Sequence, residues 1–111
     1  MTTCSCGDIV LVPFPFTDLR SSKKRPALVV SPDEYNEGPD VVIAFITSQV
    51  RSLSRPGDYH VKMWQESGLP KPSMIRMKFA TIERSIVIKK LGQLASPDRT
   101  EVRSVMCRFF E

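Results

Sequence analysis

The stretch Lys23-Lys24-Arg25-Pro26-Ala27-Leu28-Val29-Val30-Ser31 joins a basic triplet to a proline and then to an apolar run of strand length. Charge therefore stands at the lip of a core. A strand end is rigid, so a cation placed there is held in one position, as a site that handles phosphate requires. What surrounds Arg25 then decides what the chain can do.

Upstream, Gly7-Asp8 opens a first strand, Ile9-Val10-Leu11-Val12, which runs into Pro13-Phe14-Pro15-Phe16. Two prolines at alternate positions cannot both donate to a ladder, so the strand ends there or runs along an edge. Thr17 to Ser22 is polar and turn-rich and leads back to Lys23 as a loop. Downstream, a second loop runs from Ser31-Pro32-Asp33 to Asp40. Val41 to Ile46 is continuous and apolar, which predicts a strand buried on both faces. It ends in Thr47-Ser48-Gln49, three polar groups set by a rigid element.

Arg51 to Asp58 reads as a basic loop, Tyr59 to Met63 as a strand, and Trp64 to Gly68 as one helical turn closed by glycine. Ser73 to Met77 and Phe79 to Arg84 read as two strands, and Ser85 to Leu91 as a further short one ending at Gly92. The last element is a helix. Ser96 suits the N-cap, Pro97 the first helical position and Asp98 the positive end of the dipole. Val102, Val105, Met106, Phe109 and Phe110 fall on one stripe, which predicts a helix covering the core. Six or seven short strands with tight turns predict a mainly β fold, a small, strongly curved sheet or barrel with a C-terminal α-helix.

A chain of 111 residues without repeats or a linker is expected to be one domain, residues 1–111, with a core small enough for oligomerisation to help. The net charge of +4 favours an acidic partner such as RNA, DNA or an acidic peptide. Cys4, Cys6 and Cys107 are odd in number and lack framework spacing, against a disulfide scaffold. Cys4-Ser5-Cys6 lacks the paired spacing of a zinc site, so no metal or cofactor is expected and the N-terminus is read as frayed. No leader and no apolar run of membrane length is present, which gives a cytoplasmic expectation.

If the strands carrying Arg25 and Thr47 are antiparallel neighbours, the start of one and the end of the other meet at one sheet edge. Arginine then offers a planar fork for phosphate, and threonine a hydroxyl donor. Lys23, Lys24 and Arg51 add positive charge. RNA carries its own nucleophile, the 2′-hydroxyl, so alignment and charge stabilisation can drive cleavage with no metal. Each residue also has a plainer role: Arg25 as an edge gatekeeper, Thr47-Ser48 as turn chemistry, Phe14 and Phe16 as core, Trp64 as packing, His60 as a surface strand residue.

Several segments in order resemble the MazF/PemK family of toxin endoribonucleases from toxin–antitoxin pairs. Gly7-Asp8-Ile9-Val10-Leu11-Val12 is similar to its opening strand, and Phe14-Pro15-Phe16-Thr17-Asp18 to the first loop of PemK-like members. Lys24-Arg25-Pro26-Ala27-Leu28-Val29-Val30 resembles its Arg-Pro strand, and Ala44-Phe45-Ile46-Thr47-Ser48-Gln49 its Ile-Thr-Ser strand end. Gly68-Leu69, Ser73-Met74-Ile75-Arg76 and Leu91-Gly92-Gln93-Leu94 resemble its second half. The resemblance implies an SH3-like β-barrel, a homodimer, and metal-independent cleavage of single-stranded RNA at a short sequence. It also implies inhibition by a cognate antitoxin, with operator DNA bound through that complex. The catalytic residues it implies are Arg25 and Thr47. RNA-binding residues are expected at Phe16, Thr17 and Asp18 of the first loop, and at Lys23, Lys24, Ser48, Gln49 and Arg51. That loop is short and lacks the glycines of many members, which bears on the preferred RNA sequence and not on the class. The other reading open to the sequence is an inert barrel of this kind that binds RNA, DNA or an antitoxin-like peptide.

Overall fold

A computed structural model describes residues 2–14 and 23–111. Six strands form one antiparallel sheet: β1 (Asp8–Phe14), β2 (Lys23–Val29), β3 (Asp40–Thr47), β4 (Tyr59–His60), β5 (Met74–Glu83) and β6 (Lys89–Gln93). Their order across the sheet is β4-β5-β3-β2-β1-β6. A one-turn helix α1 (Asp33–Asn36) joins β2 to β3, and α2 (Ser96–Phe109) ends the chain. The fold is mainly β, a sheet curled into a half-barrel with a C-terminal helix.

Alternation along the strands sends side chains to two buried layers. Val10, Val12, Ala27, Val29, Val41 and Ile43 lie in one, closed over by Cys4, Ile86 and Val87. Ile9, Leu28, Ala44, Ile46 and Ile75 lie in the other, covered by Val61, Leu69, Leu94 and Val102. Burial on both sides is why the strands read as unbroken apolar runs. β3 is nevertheless not sealed throughout, since Val42 and Phe45 are only half-buried.

Several local expectations are corrected. The N-terminus is not frayed: Cys4 is 4% exposed, and the Gly7 amide donates to the Val29 carbonyl at 2.8 Å. The buried Asp8 carboxylate accepts from the Ser5 amide at 2.8 Å and pairs with Lys90 at 3.1 Å. Residues 74–83 form one strand and not two, since neither glycine nor proline interrupts them. The strand expected over 59–63 keeps only Tyr59–His60, because the Lys62 and Met63 amides turn to the Asp98 carboxylate. Arg84–Ile86 is a short 3₁₀ turn, and β6 runs past Gly92. Ala95, not Ser96, occupies the N-cap of α2, and its amide is satisfied by the Ser67 hydroxyl at 3.0 Å.

The stripe on α2 is only partly used. Val102 is buried, Val105 and Met106 are half-buried, and Phe109 and Phe110 are exposed. The two phenylalanines stack with each other and with Phe79 of β5, at ring-centroid distances of 5.1 to 6.3 Å.

Where β6 meets the turn between β4 and β5, two glycines let backbones touch. Gly68 has φ of +85°, and a Cβ on Gly92 would fall 2.3 Å from the Ser67 carbonyl oxygen. The neighbour is backbone and cannot swing aside. Gly92→Ala is therefore expected to destabilise the fold by about 1–3 kcal/mol, the usual cost of overpacking, read from the midpoint of urea unfolding. An unchanged midpoint would mean that the two backbones separate at little cost.

Candidate nucleic-acid interface

The end of β1, the start of β2, the end of β3 and the start of β5 lie at one edge of the sheet, since each neighbour runs antiparallel to the next. The β2–β3 ladder pairs Ala27 with Phe45 and Leu28 with Ala44. Continuing that register by two residues sets Arg25 opposite Thr47. The ladder stops at Ala27, next to Pro26, which has no N–H to give. Beyond that point the strands open into clefts.

One cleft, of about 340 Å³, is lined by Arg25 and Thr47 together with Phe14, Phe45, Gln49 and Ser52. Arg55, Arg76 and Lys78 complete its charged wall. A second, of about 280 Å³, is lined by Lys23, Lys24, Arg25 and Lys71, with Pro26, Pro70 and Ser48 between them. Arg25 stands in the wall common to both. Each cleft has four basic residues, and among the described residues no carboxylate lines either. Such a surface attracts a polyanion and holds it in a salt-dependent way.

The cations are held in place from below. The Arg25 guanidinium lies 4.8 Å from the centroid of the Phe14 ring, and the Lys78 ammonium 5.0 Å from that of Phe45. Phe14 closes β1, and Phe45 lies where the β3–β5 register shifts between Ala44 and Ile46. Arg76 donates to the Ser52 hydroxyl at 2.7 Å and lies 3.9 Å from Asp58, whose side chain is only 3% exposed. Asp58 also accepts the Arg55 amide at 2.7 Å. The 48–58 loop is thereby pinned to β5 along one lip of the cleft. The Thr47 hydroxyl oxygen accepts the Gln49 amide at 3.1 Å, which leaves its own hydrogen to donate outward.

Of the residues expected from the sequence, Arg25, Thr47 and Gln49 share the aromatic-walled cleft, and Lys23, Lys24 and Ser48 line the lysine-rich one. Arg51 is exposed on the loop and lines neither. Phe16, Thr17 and Asp18 lie outside the described residues. His60 is an exposed strand residue, in a separate hollow with Tyr59, Lys62, Glu101 and Arg108. Cys4, Cys6 and Cys107 are free thiols, and among the described residues no three His, Cys, Asp or Glu side chains gather as a metal site would need. No described helix is long and apolar enough to cross a membrane.

Four basic residues of the interface were not anticipated: Arg55, Lys71, Arg76 and Lys78. For two of them a signal exists. Arg76 and Lys78 are two apart on a strand, so they share a face, and Met74 of that strand pairs with Thr47.

Comparison with known proteins points one way. Residues 5–110 match the model of the PemK-like, MazF-like toxins of type II toxin–antitoxin systems. Comparison with curated protein sequences finds no match. Among solved structures, a MazE–MazF complex from Deinococcus radiodurans is 22% identical, with 97% of this chain and 96% of that one covered and a TM-score of 0.73. The Mycobacterium tuberculosis toxin MazF-mt6 is 21% identical over 93% and 95% of the two chains, with a TM-score of 0.72. An endoribonuclease in complex with its cognate antitoxin, from a mycobacterial species, is 14% identical over 97% and 93%, with a TM-score of 0.75. At these identities the structures speak for the fold.

Proposed function

This chain belongs to the PemK-like, MazF-like toxin family of type II toxin–antitoxin systems, and on that premise we propose that it is an endoribonuclease that cuts single-stranded mRNA at a short sequence without a metal ion. The observation that carries the reading is the cation-lined cleft with Arg25 and Thr47 on its walls. Arg25 grips two nonbridging oxygens of the scissile phosphate through its planar fork. Thr47 donates its remaining hydroxyl hydrogen to one of them. Both bonds strengthen as negative charge gathers on the phosphorus oxygens, which is the condition for lowering a barrier.

The 2′-hydroxyl attacks the adjacent phosphorus, the bond to the 5′-oxygen breaks, and the 2′ proton is lost as the 5′-oxygen gains one. The products are a 2′,3′-cyclic phosphate and a 5′-hydroxyl end. Arg25 holds and stabilises in this scheme and does not abstract the proton, since a guanidinium offers donors and no acceptor. Cleavage of mRNA in the cytoplasm would stop translation and growth. A cognate antitoxin with an acidic segment suits the same cationic clefts, and mycobacterial and Deinococcus structures of this fold carry antitoxins. A homodimer, and operator contacts made through the antitoxin complex, belong to the same proposal.

The test is incubation of the pure protein with a long single-stranded RNA in EDTA, with the new ends mapped. Cleavage at an undiminished rate, leaving cyclic phosphate, is expected. A strict need for a divalent ion would overturn the mechanism. RNA that is bound but never cut would make the chain an inert binding barrel.

A further inference from the structure

Arg25 does not sit at the bottom of one groove; it divides two, and the two are chemically unlike. Resting on the endoribonuclease reading above, we propose that the RNA strand crosses Arg25 with a base-reading subsite on one side, centred on Gln49, and a backbone-holding subsite on the other, centred on Lys71, that reads no sequence.

The aromatic-walled cleft has what base recognition needs. Phe14, Phe45 and Ile46 supply an apolar floor on which a base can lie. Among the described residues its neutral polar side chains are Thr47, Gln49 and Ser52, and two of them are already committed. The Ser52 hydroxyl donates to the Gln49 backbone carbonyl at 2.8 Å and accepts from Arg76 at 2.7 Å. The Thr47 oxygen accepts the Gln49 amide, and its hydrogen is spent on the phosphate in the mechanism above. The Gln49 carboxamide makes no hydrogen bond with any described residue, so it has both a donor and an acceptor to offer. A carboxamide can pair in bidentate fashion with a base edge that presents one of each, as adenine does.

The lysine-rich cleft has the opposite character. Among the described residues no aromatic ring lines it, and Pro26 and Pro70 have no N–H to present. The Ser73 hydroxyl is turned to the Lys71 carbonyl at 2.8 Å. Ser48 has a lone hydroxyl, which donates or accepts equally well and discriminates poorly between bases. The other described side chains of note are lysines, Lys24 and Lys71 foremost, whose ammonium groups are point charges matched to phosphates. Contacts of that kind fix position and affinity without carrying sequence.

The test uses a pool of single-stranded RNA randomised around the cut, scored both by mapped ends and by recovery of bound molecules. Wild type should show a base preference on one side of Arg25's phosphate. Gln49→Ala should flatten that preference at one nucleotide position, and Gln49→Glu should shift it toward bases that present an amino group. Lys71→Ala should slow every sequence alike and keep the base ranking. It should also shallow the dependence of log(kcat/KM) on log[salt] by about 0.7, the change for a single phosphate that the protein no longer neutralises. A base profile unchanged in Gln49→Ala, or a ranking altered in Lys71→Ala, would overturn the division. If wild type binds the pool without cutting it, the endoribonuclease reading fails while the bound pool still tests the two subsites by the same criteria.

Discussion

Arg25→Ala is expected to lower kcat/KM for RNA cleavage by about 10²–10³-fold or more, the scale seen when one preorganised donor to a developing oxyanion is removed. The fold should survive. Arg25 is exposed, and the buried part of β2 begins only at Ala27, so its loss should cost no more than about 0.5 kcal/mol of stability. The effect should exceed that of any single lysine in the clefts, because among the described residues Arg25 is the one cation that lines both and the Phe14 ring fixes its guanidinium. Arg25→Lys separates charge from geometry: it keeps the cation and loses the planar fork. RNA binding should then be largely retained while kcat stays low. Measured under single turnover, with far-UV circular dichroism and urea unfolding as controls, full activity in Arg25→Ala would remove it from the site. Full activity in Arg25→Lys would reduce its role to that of a point charge.

The pairing of Arg25 with Thr47 was legible in the sequence because it depends only on strand ends. An apolar run shows where a strand begins and stops, and antiparallel neighbours bring a start and an end together. The curled β sheet with a terminal helix was legible for the same reason. The clefts' other cations were not, since Arg55, Lys71, Arg76 and Lys78 come from a loop, a connector and one long strand whose placement depends on β5 lying beside β3. The N-terminus was misread because its order depends on contacts between distant segments: the Gly7 amide donating to the Val29 carbonyl, and the ion pair of Lys90 with Asp8. The stripe on α2 overstated its burial because Phe109 and Phe110 reach the sheet only at the Phe79 ring and stay exposed.

Asp98 shows how a local rule can name a residue and miss its work. At the third helical position its charge does suit the helix dipole. Its larger contribution lies across the fold, where the fully buried carboxylate accepts the Lys62 amide at 3.0 Å, the Met63 amide at 2.8 Å and the Tyr59 hydroxyl at 2.5 Å. It thereby fastens α2 to the segment leaving β4. Burial, then hydrogen bonds to Asp98 and Glu101, raise the Tyr59 phenol well above its ordinary pKa, so it stays a donor. Asp98→Ala would strand two backbone N–H groups away from water. Bonds to a charged group are worth about 1.5–3 kcal/mol each, and an orphaned buried donor costs about 1–3. These contributions overlap, so a net loss of roughly 3–5 kcal/mol is expected, a large share of the 5–15 kcal/mol or so that holds a typical domain together. Asp98→Asn should fall between the two. Its remaining oxygen can keep the Lys62 and Tyr59 bonds, while its NH₂ group meets the Met63 N–H donor to donor. Urea midpoints should therefore rank wild type above Asn and Asn above Ala, with similar slopes. An alanine variant within about 0.5 kcal/mol of wild type would show that water reaches those amides, and that α2 is held by Val102 and its apolar neighbours alone.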